Sequence, residues 1–229
     1  MKVLLFGASG MVGKGVLLEC LDDPGVEAVL SLGRRACGVT HPKLRELTRQ
    51  DFFHYDDIAA ELTGWDACFF CLGVSVMNLT ESAYAHVTED LTLAAARALL
   101  ARNPALVFCY VSGQGTDSSG RNRLMWTRVK GRTENALLAM PFRAALMFRP
   151  GFIQPLRGVR SRTRLYNALL VAFTPLFPLL RRLFPRQICT TVSVGRAMIR
   201  AASQGGPSRV LEPPDIQALN DSQPPMEKT

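Results

Sequence analysis

The sequence predicts an α/β protein with a doubly wound parallel sheet, and three observations predict it. Short apolar, β-branched or aromatic runs alternate with amphipathic helical stretches from the first residues to about residue 148. A parallel sheet covered on both faces needs that alternation. A glycine-spaced turn stands between the first run and the first helical stretch. Finally, 229 residues with 48% apolar and 20% charged side chains suit one core of ordinary size. Such a composition excludes a disordered chain and a multi-span membrane protein.

The first strand is expected at Lys2–Phe6. Its apolar run is too short for the core of a signal peptide and reads as a buried strand. Helix Met11–Leu21, strand Glu27–Leu32, a weaker strand Leu44–Gln50, a short helix Asp56–Leu62 and strand Ala67–Leu72 follow. A longer helix, Glu81–Ala101, opens on a cap at Thr80 or Glu81 and stops before Asn103-Pro104. Strand Leu106–Val111, helix Arg123–Ala139 and strand Ala144–Phe148 complete the alternation. The tail from Pro213, with Pro213-Pro214 and Pro224-Pro225, reads as a surface strap ending in a frayed terminus. The organisation expected is a core over residues 1–155, with residues 156–229 as a small C-terminal lobe covering a substrate pocket within the same structural domain.

The formal charge of +8 is unevenly placed. Between Asn135 and Leu211 the chain carries twelve arginines and no Asp, Glu or Lys, while the remainder is net acidic. A polyanion-binding surface and a basic lobe on a neutral domain both explain such a chain. Within this stretch Leu165–Leu180 is apolar, interrupted by Pro175 and Pro178 and flanked by Arg162, Arg164, Arg181 and Arg182. It is too short and broken to span a bilayer, and helices packed over a pocket or a dimer contact are the favoured reading. Peripheral contact with anionic lipid is the lesser one. No nucleic-acid motif accompanies the arginines, so no nucleic acid is expected.

The six cysteines are scattered and read as reduced core thiols in a cytoplasmic protein, either monomeric or homodimeric. Cys68 and Cys71 share a strand at odd spacing, which points them to opposite faces and argues against zinc or a disulfide. His41, His54 and His86 are too irregularly spaced for a metal site, and none is assigned.

Chemistry is most legible at Gly7-Ala8-Ser9-Gly10-Met11-Val12-Gly13. After a strand and before a helix, Gly7 makes the tight turn, Gly10 lets backbone approach a pyrophosphate, and Gly13 allows close helix–strand packing. The helix N-terminus then offers free N–H groups and a favourable dipole to phosphates. This is a Rossmann-type dinucleotide site. At the end of the second strand no acid waits for ribose hydroxyls; Gly33 is followed by Arg34 and Arg35, which suit a 2′-phosphate. NADP(H) is therefore expected in preference to NAD(H). Asp51 and Phe52 are placed for the adenine, and Cys71, Leu72 and Gly73 for the cofactor ribose.

Together with Ser112, Val129-Lys130-Gly131, Phe148-Arg149-Pro150-Gly151 and Val194-Gly195-Arg196-Ala197-Met198, these motifs resemble the atypical short-chain dehydrogenases/reductases, including bacterial proteins of the NAD-dependent epimerase/dehydratase type. The resemblance runs from residue 1 to about residue 200. It implies a serine, a tyrosine and a lysine in catalysis, with the lysine also holding the nicotinamide ribose. Ser112 matches the serine, with Ser118 or Ser119 in reserve, and Lys130 matches the lysine. Pro150, Gly151 and Phe152 match the backbone near the nicotinamide carboxamide. The tyrosine position, four residues before Lys130, holds Trp126, whose indole is no acid or base near neutral pH. Three accounts stay open. Reduction proceeds with a proton from water, another side chain or the Lys130 ammonium. Tyr84 or Tyr110 supplies the hydroxyl. Or the protein binds NADPH without turnover and acts as a regulator or scaffold. The substrate expected is a small carbonyl or sugar-like molecule.

Overall fold

The computed structural model describes residues 1–159 and 187–221. The expected alternation is present. Strands β1 (Lys2–Phe6), β2 (Ala28–Gly33), β3 (Leu44–Thr48), β4 (Ala67–Phe70), β5 (Val107–Val111) and β6 (Ala144–Phe148) form a parallel sheet in the order β3-β2-β1-β4-β5-β6. The reversal of winding beside β1 is the topological switch of a doubly wound sheet, and ligands bind there at the carboxyl ends of strands.

Period-two patterning makes the two cores. Val3 and Leu5 of β1 join Phe69, Cys109 and Phe148 on one face, while Leu4 and Phe6 join Cys68, Phe70, Phe108 and Tyr110 on the other. Cys68 lies in the second core and Cys71 packs against the first, so the pair does separate as its odd spacing predicts. All six cysteines are free. Helix α1 (Met11–Asp22) covers the first face. A 3-10 helix, Asp56–Leu62, stands where a short α-helix is expected.

The expected helix Glu81–Ala101 is continuous but not uniform. It comprises α2 (Glu81–Ala85), a π-turn over His86–Asp90, and α3 (Leu91–Arg102). Thr80 caps its start by accepting the Ala83 N–H at 3.2 Å. Asn103 stops it and ties its end to the preceding loop, accepting the Gly64 and Trp65 N–H groups at 2.8 and 3.0 Å. Helix α4 (Met125–Leu138) lies with α3 on the second face.

After β6 the structure goes beyond the sequence expectation. Strand β7 (Phe152–Gln154) pairs in parallel with β8 (Ile188–Thr190). Helix α5 (Thr191–Gln204) opens on a capping box between Thr190 and Ser193 and packs on α1. The approach is close: a Cβ on Gly15 would stand 2.4 Å from Thr191 Cβ, and one on Gly195 2.8 Å from Glu19 Cγ. Strand β9 (Val210–Leu211) then joins β6 as the seventh strand. Residues 191–211 thus belong to the layers of the core and not to a lobe above it.

The start of the tail is not a strap. Residues Pro213–Asp221 form helix α6, with Ile216 fully buried. Pro213 and Pro214 sit where a first turn has no use for N–H groups, and the Asp215 carboxylate accepts the Glu212 N–H at 2.9 Å. Leu165–Leu180 and Pro224-Pro225 fall outside the described residues. Among those described, no helix is long and apolar enough to cross a membrane.

Candidate functional site

The turn after β1 is built from glycines for steric reasons that can be measured. Gly7 has φ +84°, and a Cβ there would stand 2.8 Å from the Cys71 carbonyl oxygen. A Cβ on Gly13 would be only 2.2 Å from the Gly7 carbonyl oxygen, so α1 can meet the turn only without a side chain. Gly10 is the N-cap of α1; its own N–H donates to Gly7 at 2.8 Å, and no side chain caps the helix. The first-turn N–H groups are left for a ligand, and no acid stands in that turn to repel an anion.

Three adjoining cavities continue from this turn along the carboxyl ends of the strands. The middle one, about 370 Å³, is lined by Gly7, Ser9, Gly10, Gly33, Arg34, Arg35 and Gln50. An outer one, about 260 Å³, shares Arg34 and Gln50 and adds Phe52, Phe53, His86 and Val87. The inner one, about 430 Å³, holds Val12, Ser112, Gln114, Trp126, Lys130, Pro150, Gly151 and Ile153. Leu72 and Gly73 border all three, and Cys71 borders the middle and inner ones. Arg34 and Arg35 are exposed and, among the described residues, have no carboxylate partner. This set fits a dinucleotide: an anion cradle at α1, two guanidiniums beside it, and a cavity at either end.

Some expected contacts are not made. Asp51 is turned into its own loop, where its carboxylate accepts the Phe53 N–H at 2.7 Å and meets His54 Nδ1 at 2.7 Å. Met11 packs against the core, and Gly13 acts beneath the turn and not on the cleft surface. Phe152 points outward, 42% exposed, because β7 alternates and presents Ile153 to the cavity. Gln50, Phe53, His86 and Gln114 were not legible as site residues. Phe53 and His86 stack at 4.7 Å in the outer cavity, and no sequence spacing announces such a long-range pair.

The inner cavity rests on a buried ionic network. Glu134, fully buried on α4, accepts two N–H groups of Arg149 and the Ser112 hydroxyl at 2.5 Å. Ser112 Oγ also lies 3.1 Å from the Phe148 carbonyl oxygen, so its hydrogen-bonding capacity is turned inward. Arg149 reaches Glu212 at 3.1 Å and donates to Ser118 Oγ at 2.9 Å. Ser119 instead donates to Asp117 at 2.6 Å, so neither reserve serine reaches the cavity.

One turn before Glu134, Lys130 Nζ donates to the Ser112 carbonyl oxygen. Desolvation pulls the Lys130 pKa down to about 8, against the opposing pull of Glu134. Trp126 shares that helix face and lies over Gly113 and Gly115, where an added Cβ would be 3.9 Å from its ring. Tyr84 and Tyr110 are 3% and 1% exposed, border none of these cavities, and have their hydroxyls raised in pKa by burial. Among the described residues no group of three or more His, Cys, Asp or Glu could hold a metal ion.

The described arginines of the acid-free stretch are occupied. Besides Arg149, Arg157 and Arg196 both donate to the buried Glu19 at 2.9 Å. Arg143, Arg200 and Arg209 donate to carbonyls at or near the C-termini of α5, α6 and α4, where a cation is favoured.

No family model matches the chain. Protein HTATIP2 of Rattus norvegicus is 28% identical over 154 residues, which span 66% of this chain and 62% of the rat protein. The chain thus covers less than two thirds of that relative's length. Protein fmp52, mitochondrial, of Emericella nidulans is 27% identical over 71% of this chain and 70% of the fungal one. Among solved structures, a short-chain dehydrogenase/reductase family oxidoreductase from Burkholderia thailandensis matches with TM-score 0.66 and 17% identity, covering 95% of this chain and 92% of that one. Bordetella bronchiseptica WbmF, solved with NAD+, matches with TM-score 0.64 and 18% identity over 96% and 76%. In sequence the chain is similar to HTATIP2 and fmp52, and its fold is the Rossmann-type fold of the short-chain dehydrogenase/reductase structures it matches.

Proposed function

We propose that the chain is an NADP(H)-dependent oxidoreductase acting on a small carbonyl or sugar-like substrate. One observation carries the reading: a single cleft joins Arg34 and Arg35, which have no carboxylate partner among the described residues, the anion cradle at α1, and the half-buried Lys130 beside Trp126. Bound there, the cofactor would supply hydride. Gly7, Gly10 and the α1 N-terminus would hold its pyrophosphate, Arg34 and Arg35 its 2′-phosphate, and Lys130 with Pro150 and Gly151 its nicotinamide half. Phe52, Phe53 and His86 offer flat surfaces for the adenine. The free cysteines support a reducing compartment, the cytoplasm in this reading.

Titration with NADPH and NADH, followed by the fluorescence of Trp126, tests the cofactor. NADPH should bind at least tenfold more tightly, and Arg34→Ala with Arg35→Ala should abolish that preference, a difference of about 1.4 kcal/mol or more. Equal binding of both nucleotides by the unaltered protein would sink the 2′-phosphate assignment. A second reading, an NADPH-binding regulator without turnover, is favoured by Trp126 in the cavity wall and by the inward-turned Ser112 hydroxyl. A panel of aldehydes, ketones and quinones showing tight NADPH binding but no oxidation would select it.

A further inference from the structure

We infer that Lys130 gives the proton to the substrate oxygen in the reduction proposed above. The inference rests on that reading and adds an acid to it. Among the described residues the inner cavity offers few other donors. Ser112 is committed to Glu134 and the Phe148 carbonyl, and neither the Gln114 amide nor the Trp126 indole releases a proton near neutral pH. Burial pushes the Cys71 thiol far up, so it keeps its proton. Tyr55, Tyr84 and Tyr110 are buried away from the cavity.

Lys130 is held in place. One of its three N–H bonds goes to the Ser112 carbonyl, which leaves two for a ligand in a cavity that α4 and the end of β5 share. The charged and titratable groups around it are few. Glu134 faces it from its own helix, Arg149 neutralises that carboxylate from the end of β6, and Cys71 approaches from the end of β4. β5 contributes only the uncharged Ser112. A lysine with a pKa of about 8 is mostly protonated at pH 7 yet gives its proton readily. The bound nicotinamide supplies the hydride, so the carbonyl carbon gains a C–H bond and NADPH is oxidised. A Lys130 N–H bond breaks as the alcohol O–H bond forms, and the neutral amine regains its proton from water.

Two measurements test this. In the cofactor-free protein labelled with ¹³C-lysine, one of the five lysines, the signal missing from Lys130→Arg, should titrate with a midpoint near 8. In single turnovers with NADPH and 4-nitrobenzaldehyde, the hydride step should slow about tenfold per pH unit above that midpoint. Lys130→Arg keeps a positive charge but no usable acid. With NADPH saturating, it should turn over about 100-fold more slowly than the parent.

A lysine midpoint above 10, a flat rate between pH 7 and 10, or turnover within tenfold in Lys130→Arg would each overturn the assignment while leaving the reductase standing. If Lys130→Arg fails to fold, the parent's pH profile decides alone. Binding of NADPH with no oxidation by any carbonyl overturns both the acid and the reductase.

Discussion

The arginines of the two halves of the molecule behave in opposite ways. Arg34 and Arg35, in the half with an acidic excess, stand exposed on the cleft and have no carboxylate partner among the described residues. The described arginines of the acid-free stretch, six of its twelve, are spent on the fold: three reach Glu19 or Glu134 and three cap helix ends. Net charge over a stretch of sequence therefore does not locate a ligand's counter-charge. What matters is whether the partner acids, here placed in the other half of the chain, return to the basic residues on folding. The excess of positive charge is in large part a staple between distant segments.

That contrast can be broken by substitution. The largest effect should follow Arg149→Ala. It would leave Glu134, at zero exposure, without its cation, and a cost of about 3–5 kcal/mol is expected in chemical denaturation. A change below about 1 kcal/mol would show that Arg149 is a surface charge like Arg34. Glu19→Gln should cost less, on the order of 1 kcal/mol, because its partners Arg157 and Arg196 are 38% and 54% exposed and solvent screens them. Urea midpoints of the parent and variant measure it, and no shift would mean that these arginines are as free as those of the cleft.

The smallest effect concerns a loop built on an acid whose partners are a hydroxyl and backbone N–H groups. Asp117 accepts the Ser119 hydroxyl and the Arg121 and Asn122 N–H groups, and these hold its pKa down to about 2. A carboxyl that is more acidic folded than unfolded stabilises above its unfolded value. The contribution is lost as pH falls from about 4 through about 2. Protection of the Arg121 and Asn122 amides, taken relative to the intrinsic exchange rate at each pH, should therefore hold at pH 5 and fall below pH 3. Protection that is unchanged at pH 2 would remove Asp117 as the anchor of that loop.

Much of the nucleotide half was legible because its constraints are local. A strand, a glycine turn and a helix are consecutive, and the two arginines follow the next strand directly. The parallel sheet was legible because β1, β2, β4, β5 and β6 are apolar runs bounded by turns. Strands β7, β8 and β9 are two or three residues long and carry no period of their own. Helix α5 did leave a signal, with Val194, Ala197, Met198, Ala201 and Ala202 recurring three or four apart behind Thr190. It was hidden by the expectation that the core ends near residue 155. Glu134 was illegible for a different reason: an acid in mid-helix reads as a solvated face until Arg149 and Ser112 are brought to it in space. The same tertiary contact sets the direction of the Ser112 hydroxyl, which no local pattern carries.

The bare contact of Gly15 with Thr191 and of Gly195 with Glu19 has a consequence for the order of assembly. Helix α1, which presents the anion cradle, is made some 170 residues before the helix that covers it. Until α5 and the short strand after it have been synthesised, the apolar side of α1 and the outer edge of β6 lack their partners. A chain that stops before residue 187 would carry every glycine of the nucleotide motif and still lack the surface that holds α1 in place. Long-range closure of this kind is slow and leaves the nascent chain exposed to aggregation. The later helix is thus a condition for the seating of the earlier one.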